Sequence, residues 1–274
     1  MTPRGKKRLL QVGNILAMVL TIIINGLAVI LPLNGKTTQY LSDQYENFFV
    51  PAGITFSIWS IIYILWIVFA IYQARDLVKK EETEMPFLHQ ISFLFVLSGV
   101  ANSAWIFLWH YEYVGLSLLV MVLLLLTLLA IYVRLNIGRS TVSLAERLCV
   151  HVPFSTYLGW ITVATIANVT AFLVSVNWDG FGIDHVTWTI LIIAVGTLLT
   201  FLMLALRRDI AFTLVVLWAY VGIWLKRMAQ PTTTADMTVA TTTSIALVLI
   251  IAGLLVVIGY HLLTRNKQKA IQKT

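Results

Sequence analysis

The sequence predicts an all-α membrane protein that crosses the bilayer several times. Hydrophobic residues occupy 59% of the 274 positions and charged residues only 11%, against about 25% charged residues in soluble domains. The apolar residues form long uncharged runs, and about 18 such residues cross the hydrocarbon layer as a helix. Strands of a membrane barrel would instead give segments of about ten residues. Eight candidate spans follow: Leu9–Leu33, Pro51–Gln73, Phe87–Trp109, Tyr113–Val133, Cys149–Val176, Val186–Leu206, Ile210–Leu225 and Ser244–Leu263.

The distribution of basic residues predicts the orientation. With eight spans and a cytoplasmic N-terminus, 16 of the 19 Lys and Arg residues lie on the cytoplasmic side. Only Lys36, Lys226 and Arg227 fall outside, while the acidic residues divide evenly between the two sides. This is the bias that the positive-inside rule describes. We therefore expect a protein of the cell membrane with both termini in the cytoplasm. The same bias accounts for the net charge of +7 without nucleic acid as a partner.

Several chemistries are missing from the predicted spans. No Asp, Glu, Lys or Arg occupies the middle of a span, where ion-coupled transporters and proton pumps generally place one. None of the five histidines is paired at metal-ligand spacing, and the sequence contains neither a phosphate-binding glycine loop nor a nucleophile elbow. The sequence thus predicts no metal site and no catalytic residues. It favours binding over catalysis and leaves enzymatic activity open.

Three spans share one pattern of aromatic and amide residues. Members at offsets 0, 3 and 7 lie on one face of a helix. Three such faces can enclose a flat, apolar ligand, or they can simply pack against one another. The first set is Phe56, Trp59 and Tyr63, the second is Asn102, Trp105 and Trp109, and the third is Tyr157, Trp160 and Ala164, continued by Asn168.

Three connecting segments carry further predictions. The first outer loop, Asn34–Val50, is polar with several aromatic residues, and we expect it to fold back over the outer end of the bundle as a lid. Asp209 follows two arginines in a tight turn, where a carboxylate caps the next helix. The threonine-rich loop Pro231–Thr243 is expected to be irregular.

These motifs resemble a known family, the TspO/MBR or tryptophan-rich sensory proteins. The second span, from Pro51 through Trp59 to Tyr63, is similar to the family's proline-started motif, with Phe56 one position late. The third span contains an Asn-x-x-Trp segment, and the fifth contains Tyr-x-x-Trp-x-x-x-Ala-x-x-x-Asn. The resemblance covers about residues 9–178 and departs from the family pattern where a second proline and a tryptophan near Pro51 are missing.

The resemblance implies a five-helix bundle with a ligand pocket that opens toward the first outer loop. Family members bind porphyrins and other flat apolar molecules, and some are reported to promote light-dependent breakdown of protoporphyrin. The ten residues of the three aromatic faces are the expected ligand-binding residues. Residues 1–178 form the expected TspO-like domain. Residues 179–274 add three spans without a counterpart in the five-helix core and a basic tail.

The leading hypothesis is therefore a binding or sensory protein for a flat apolar ligand such as a porphyrin. A transporter of an apolar small molecule and a light- or oxidant-dependent porphyrin-degrading protein are the alternatives. The expected partners are the lipid bilayer and the ligand, with a homodimer left open and no cofactor other than the tetrapyrrole itself. The sequence leaves the natural ligand and the role of the last three spans undecided.

Overall fold

The computed structural model describes residues 2–31, 33–79, 81–229 and 233–271, and this part of the chain is helical without strands. Seven helices in it are long and apolar enough to cross a membrane, and an eighth apolar helix has 17 residues. The helices are α1 (Pro3–Ile30), α2 (Thr38–Gln44), α3 (Ile58–Gln73, preceded by a 3-10 turn at Gly53–Ser57), α4 (Pro86–Ile91), α5 (Leu94–His110), α6 (Val114–Arg134), α7 (Leu144–Glu146), α8 (Val152–Ser175), α9 (His185–Arg207), α10 (Ile210–Ala229) and α11 (Thr234–Ile271). A π-helical turn, Arg147–His151, joins α7 to α8.

Each of the eight predicted spans coincides with an apolar helix, but their lengths differ from the prediction. The third span is broken at Ser92, where a φ of 52° and a ψ of −137° interrupt the helix. This residue divides the span into α4 and α5. The shortest predicted span, Ile210–Leu225, becomes a helix of 20 residues in α10.

The prediction for the loop Pro231–Thr243 is wrong from Thr234 onward, because α11 begins there. Thr233 and Asp236 form a reciprocal cap in which Thr233 Oγ1 accepts from Asp236 N at 3.1 Å and Asp236 Oδ2 accepts from Thr233 N at 3.2 Å. Such a cap satisfies free N–H groups at the start of a helix. Residues 231 and 232 lie outside the described part of the chain.

Of the last three helices, α10 packs directly against the predicted five-helix core, and α9 and α11 pack against α10. The backbone N–H of Ala52 donates to Gly222 O at 2.9 Å, and Trp218 Nε1 donates to Thr55 O at 2.9 Å. A Cβ atom added at Gly222 would lie 1.8 Å from Thr55 Oγ1, so only glycine permits this approach. Small residues at membrane helix interfaces allow such close packing. The boundary at residue 178 stays a prediction, but α10 is part of the same packed bundle.

The tight turn before α10 has the structure that the sequence predicts. Asp209 caps α10, with its Oδ1 accepting from Phe212 N at 3.0 Å. Its carboxylate also accepts hydrogen bonds from Tyr132 Oη and Ser155 Oγ. One carboxylate therefore connects α6, α8 and α10 at this end of the bundle.

Candidate ligand-binding pocket

A small cavity lies between α3, α5, α8 and α10, beneath the first outer loop. Its volume is about 60 Å³, which is room for only a few water molecules. Ligand pockets typically measure about 300–1,000 Å³, so the aromatic side chains largely close this pocket. Its lining is almost entirely apolar and consists of Thr38, Ser42, Asn47, Phe49, Val50, Pro51, Phe56, Trp59, Trp105, Trp109, Trp160, Val163, Ala164, Ala167, Asn168, Ala171, Ala219 and Ile223.

The three aromatic faces meet at this cavity. Seven of the ten residues expected to bind ligand line it: Phe56, Trp59, Trp105, Trp109, Trp160, Ala164 and Asn168.

The rings form two walls with different geometry. On α5, the indoles of Trp105 and Trp109 stack with their centroids 5.8 Å apart and their planes 13° from parallel. Across the cavity, Trp160 meets Phe56 and Trp59 edge to face, with centroids 6.1 and 6.2 Å away. Offset-stacked and edge-to-face pairs are the favoured aromatic arrangements. The walls are therefore preorganised by their own contacts.

The other three expected residues lie outside the lining and support it instead. Tyr63 stacks on Trp59 at 5.7 Å. Asn102 accepts a hydrogen bond from Asn25 Nδ2 at 2.7 Å and donates to Tyr157 Oη at 3.1 Å. These hydrogen bonds connect α1, α5 and α8. They also give the buried amides the partners that polar groups need in an apolar bilayer.

Only a few polar groups face the apolar cavity. Asn168 Oδ1 accepts from Trp105 Nε1 at 2.9 Å, and Asn168 Nδ2 donates to Ser117 Oγ at 3.2 Å, so this amide is already engaged. The indole Nε1 atoms of Trp109 and Trp160 are buried and have no hydrogen-bond partner among the described residues. An unsatisfied buried donor costs about 1–3 kcal/mol.

The first outer loop covers the cavity, as expected from the sequence. We call residues 34–50 the outer segment. It contains α2 and contributes Thr38, Ser42, Asn47 and Phe49 to the lining. The ring of Tyr45 lies 5.8 Å from that of Trp109. The outer segment thus separates the aromatic walls from the space above the bundle.

Ion pairs hold the outer segment down at two points. Glu112, between α5 and α6, accepts hydrogen bonds from Lys36 Nζ and from Gln44 Nε2. Asp43 pairs with Lys226 at the end of α10. The hydrogen bonds from Lys36 and Gln44 lower the pKa of the Glu112 carboxyl below its ordinary value of 4.5. This anchor, the ion pair of Glu112 with Lys36, therefore contributes fully above pH 4.5 and is lost as the pH falls through the lowered pKa of Glu112.

For the ligand-binding function proposed below, we expect Glu112→Gln to accelerate ligand entry, because the closed cavity would have to open first and the substitution removes the ion pair with Lys36. Partly exposed pairs contribute about 0.2–1 kcal/mol, so the association rate of protoporphyrin should rise up to about fivefold in stopped-flow absorbance. Glu46→Gln is the matched control, because Glu46 is an exposed residue of the same segment with no ion pair among the described residues. Equal rates in the two variants would contradict gating by this anchor.

The sequence did not indicate the wall formed by α10. Ala219 and Ile223 line the cavity, and Ala219 is fully buried. Neither residue type carries chemistry that distinguishes it within an apolar span. The available signal is that Ala219 and Gly222 are small residues on one helix face, and small residues at a membrane helix interface allow close packing.

The fold and the pocket define a helical multi-pass membrane protein with an aromatic cavity near one end of the bundle. The chain matches the family model described as TSPO-like protein over residues 11–258, and it belongs to that family. The match continues through α9 and α10 into α11, so these helices have counterparts in the matched family. Neither the search of curated proteins nor that of solved structures returned a match.

Proposed function

We propose that this protein binds a flat apolar ligand, a tetrapyrrole such as a porphyrin, in the aromatic cavity and serves as a binding or sensory protein of the membrane. The observation that carries the proposal is the convergence of Phe56 and four indoles on one closed space. Stacking on these rings favours a planar apolar molecule, and isolated polar groups orient it. The unpartnered N–H groups of Trp109 and Trp160 favour a ligand that also carries acceptor atoms.

The size of the cavity sets the mode of binding. At about 60 Å³ it does not accommodate a tetrapyrrole without rearrangement. Binding therefore requires the outer segment or the aromatic rings to move, and the energy of that opening reduces the apparent affinity. The outer segment is held by two partly exposed ion pairs, which are weak, so we infer that it is the part of the wall that moves. We expect slow, saturable association rather than diffusion-limited binding.

The test is a titration of the detergent-solubilised protein with protoporphyrin in the dark, followed by the porphyrin absorbance. Trp105→Leu and Trp160→Leu keep apolar character but remove a stacking face. Each should weaken binding by about 1 kcal/mol, the typical contribution of an aromatic pair beyond its area, which is roughly a fivefold change in Kd.

Trp178→Leu is the control for this titration. Trp178 packs against Phe181 and Trp188 and does not line the aromatic cavity, so its loss should leave Kd unchanged. Unchanged affinity in both pocket variants at normal expression would remove the cavity as the binding site. Saturable binding without flux in proteoliposomes supports the binding role. Porphyrin flux would support a transporter instead. Light-dependent loss of porphyrin would support a porphyrin-degrading protein.

We further propose that the protein lies in the cell membrane with both termini in the cytoplasm. At the end that carries the outer segment, each of the three basic residues pairs with an acid: Lys36 with Glu112, Lys226 with Asp43 and Arg227 with Asp236. Among the described residues these three are the only Lys and Arg at that end, and this scarcity of basic residues agrees with an outer location. Reporter fusions after Thr274 and within Pro231–Thr243 should report cytoplasmic and external locations, respectively. An external C-terminal reporter would contradict this orientation. The homodimer stays a prediction.

A further inference from the structure

A cavity larger than the aromatic one lies at the opposite end of the bundle, where the sequence predicts the cytoplasm. Its volume is about 520 Å³. Three segments supply its polar and charged lining for the most part: the loop 137–140 after α6, the π-helical turn Arg147–His151, and the turn Arg207–Asp209 between α9 and α10. Residues of α8, α10 and α11 complete it. A Cβ atom at Gly138 would lie 2.0 Å from Arg207 O, and the φ of Gly138 is +82°. Glycine is required there, and its close approach holds the first and third segments together.

Positive charge dominates the lining of this cavity. Arg147, Arg207 and Arg208 line it together with one carboxylate, Asp209. The oxygens of Asp209 are occupied by the hydroxyls of Tyr132 and Ser155 and by the N–H of Phe212. Asp209 therefore makes structural hydrogen bonds and forms no ion pair with these arginines in the described part of the chain.

The three arginines differ in the contacts that their side chains already make within the protein. Arg207 donates to Asn136 Oδ1 at 2.8 Å, which holds its side chain in place. Arg208 lies over the ring of Tyr260 at 4.9 Å. The exposed side chain of Arg147 makes neither an ion pair nor a hydrogen bond within the described residues. At least one guanidinium is thus available to an external anion.

A buried histidine provides a second, independent sign of a ligand. His151 lines the cavity and is only 6% exposed. Its Nε2 has no hydrogen-bond partner among the described residues. Leaving a buried polar atom without a partner is unfavourable. His151 ends a π-helical turn, an irregularity that often occurs at functional sites.

We propose that this cavity binds a phosphate group. Guanidinium groups match the oxygens of phosphate in charge and geometry, and basic pockets between membrane helices on the cytoplasmic side bind anionic lipid headgroups. Arg147 and Arg208 supply the charge, and His151 Nε2, in the tautomer that carries its proton, donates to a phosphate oxygen. The phosphate belongs either to an anionic lipid headgroup or to a soluble phosphate compound. This site is separate from the aromatic cavity and does not depend on the function proposed for it.

The test uses the full-length chain in detergent and has two arms. Native mass spectrometry with added phosphatidylglycerol measures lipid occupancy, with phosphatidylcholine for comparison. Thermal denaturation with inorganic phosphate, against chloride at equal ionic strength, measures binding of the soluble anion. We expect Arg147→Gln/Arg208→Gln to weaken binding at least about tenfold, since each basic residue near an anionic surface contributes on the order of fivefold. His151→Phe keeps a buried ring, leaves the arginines in place and should also weaken binding.

The control is Arg134→Gln/Lys79→Gln, which removes two exposed positive charges at the same end of the bundle without touching the cavity. Loss of phosphatidylglycerol binding in the cavity variants alone supports the site and identifies a lipid headgroup. Loss of stabilisation by inorganic phosphate in those variants alone supports it and identifies a soluble anion. Equal weakening in the control overturns the proposal in favour of general surface attraction, and absence of binding in both arms overturns it outright.

Discussion

Asp76→Asn is expected to destabilise the folded bundle by about 3–5 kcal/mol, the usual loss when one partner of a buried ion pair is removed. Asp76 accepts hydrogen bonds from Lys7 Nζ, from Gln11 Nε2 at 2.8 Å and from Thr83 N at 2.7 Å. Without the carboxylate, the buried ammonium of Lys7 loses its counter-charge and is left with neutral acceptors such as Thr83 O, at 2.6 Å. Unfolding in a denaturing detergent measures the loss.

The pH dependence of this stabilisation follows from the pKa of Asp76. Desolvation alone would raise that pKa, but the hydrogen bonds from Lys7, Thr83 and Gln11 outweigh it and lower the pKa from 3.8 to about 2. A carboxyl whose pKa is lower in the folded state than in the unfolded chain stabilises the protein at pH values above the unfolded pKa. The contribution is therefore complete above about pH 4 and is lost as the pH falls toward 2. The Asn variant should lack this acid dependence.

Two further variants separate the ion pair from other effects. Lys7→Met/Asp76→Leu removes both charges and should recover part of the loss, because the unpaired buried charge is the main cost. Asp184→Asn is the control. Asp184 caps α9 through the N–H groups of Val186 and Thr187, and asparagine caps a helix about as well as aspartate. A single Asp76→Asn variant as stable as this control would contradict a structural role for the pair.

Ala219→Phe is expected to abolish ligand binding or to weaken it by more than tenfold. Ala219 is fully buried on α10 and lines the aromatic cavity. An added phenyl ring would occupy the roughly 60 Å³ that a ligand must enlarge. Overpacking costs about 1–3 kcal/mol, so helix content and unfolding must be measured beside the protoporphyrin titration. Ala219→Val and Ala219→Leu should show a graded loss of affinity.

Ala205→Phe is the matched control for this series. It adds the same ring at an exposed position of α9 and should leave affinity unchanged. Full affinity in the folded Ala219→Phe protein would exclude α10 from the binding site. The same result would not affect the Trp105 and Trp160 test, which examines the other walls.

The aromatic faces show how far sequence periodicity reaches. Offsets of 3 and 7 place residues on one side of a helix but do not give the depth of the cavity along it. Tyr63, Asn102 and Tyr157 each lie about one helical turn farther from the outer segment than their pocket-lining neighbours Trp59, Trp105 and Trp160. The cavity occupies only the outer part of the bundle. The deeper members of each face therefore pack and hydrogen-bond instead.

By itself, the sequence determined that this protein is a helical bundle in a membrane, because apolar runs of about 20 residues are too long for barrel strands and satisfy their backbone in lipid as helices. It also determined the aromatic faces and the cap of Asp209, which depend on neighbours within a few residues. The tertiary structure alone decided that α10 completes the aromatic cavity, that Asp76 pairs with Lys7, and that three distant segments surround a basic cavity. These features depend on contacts between residues far apart in the chain, which local periodicity does not encode.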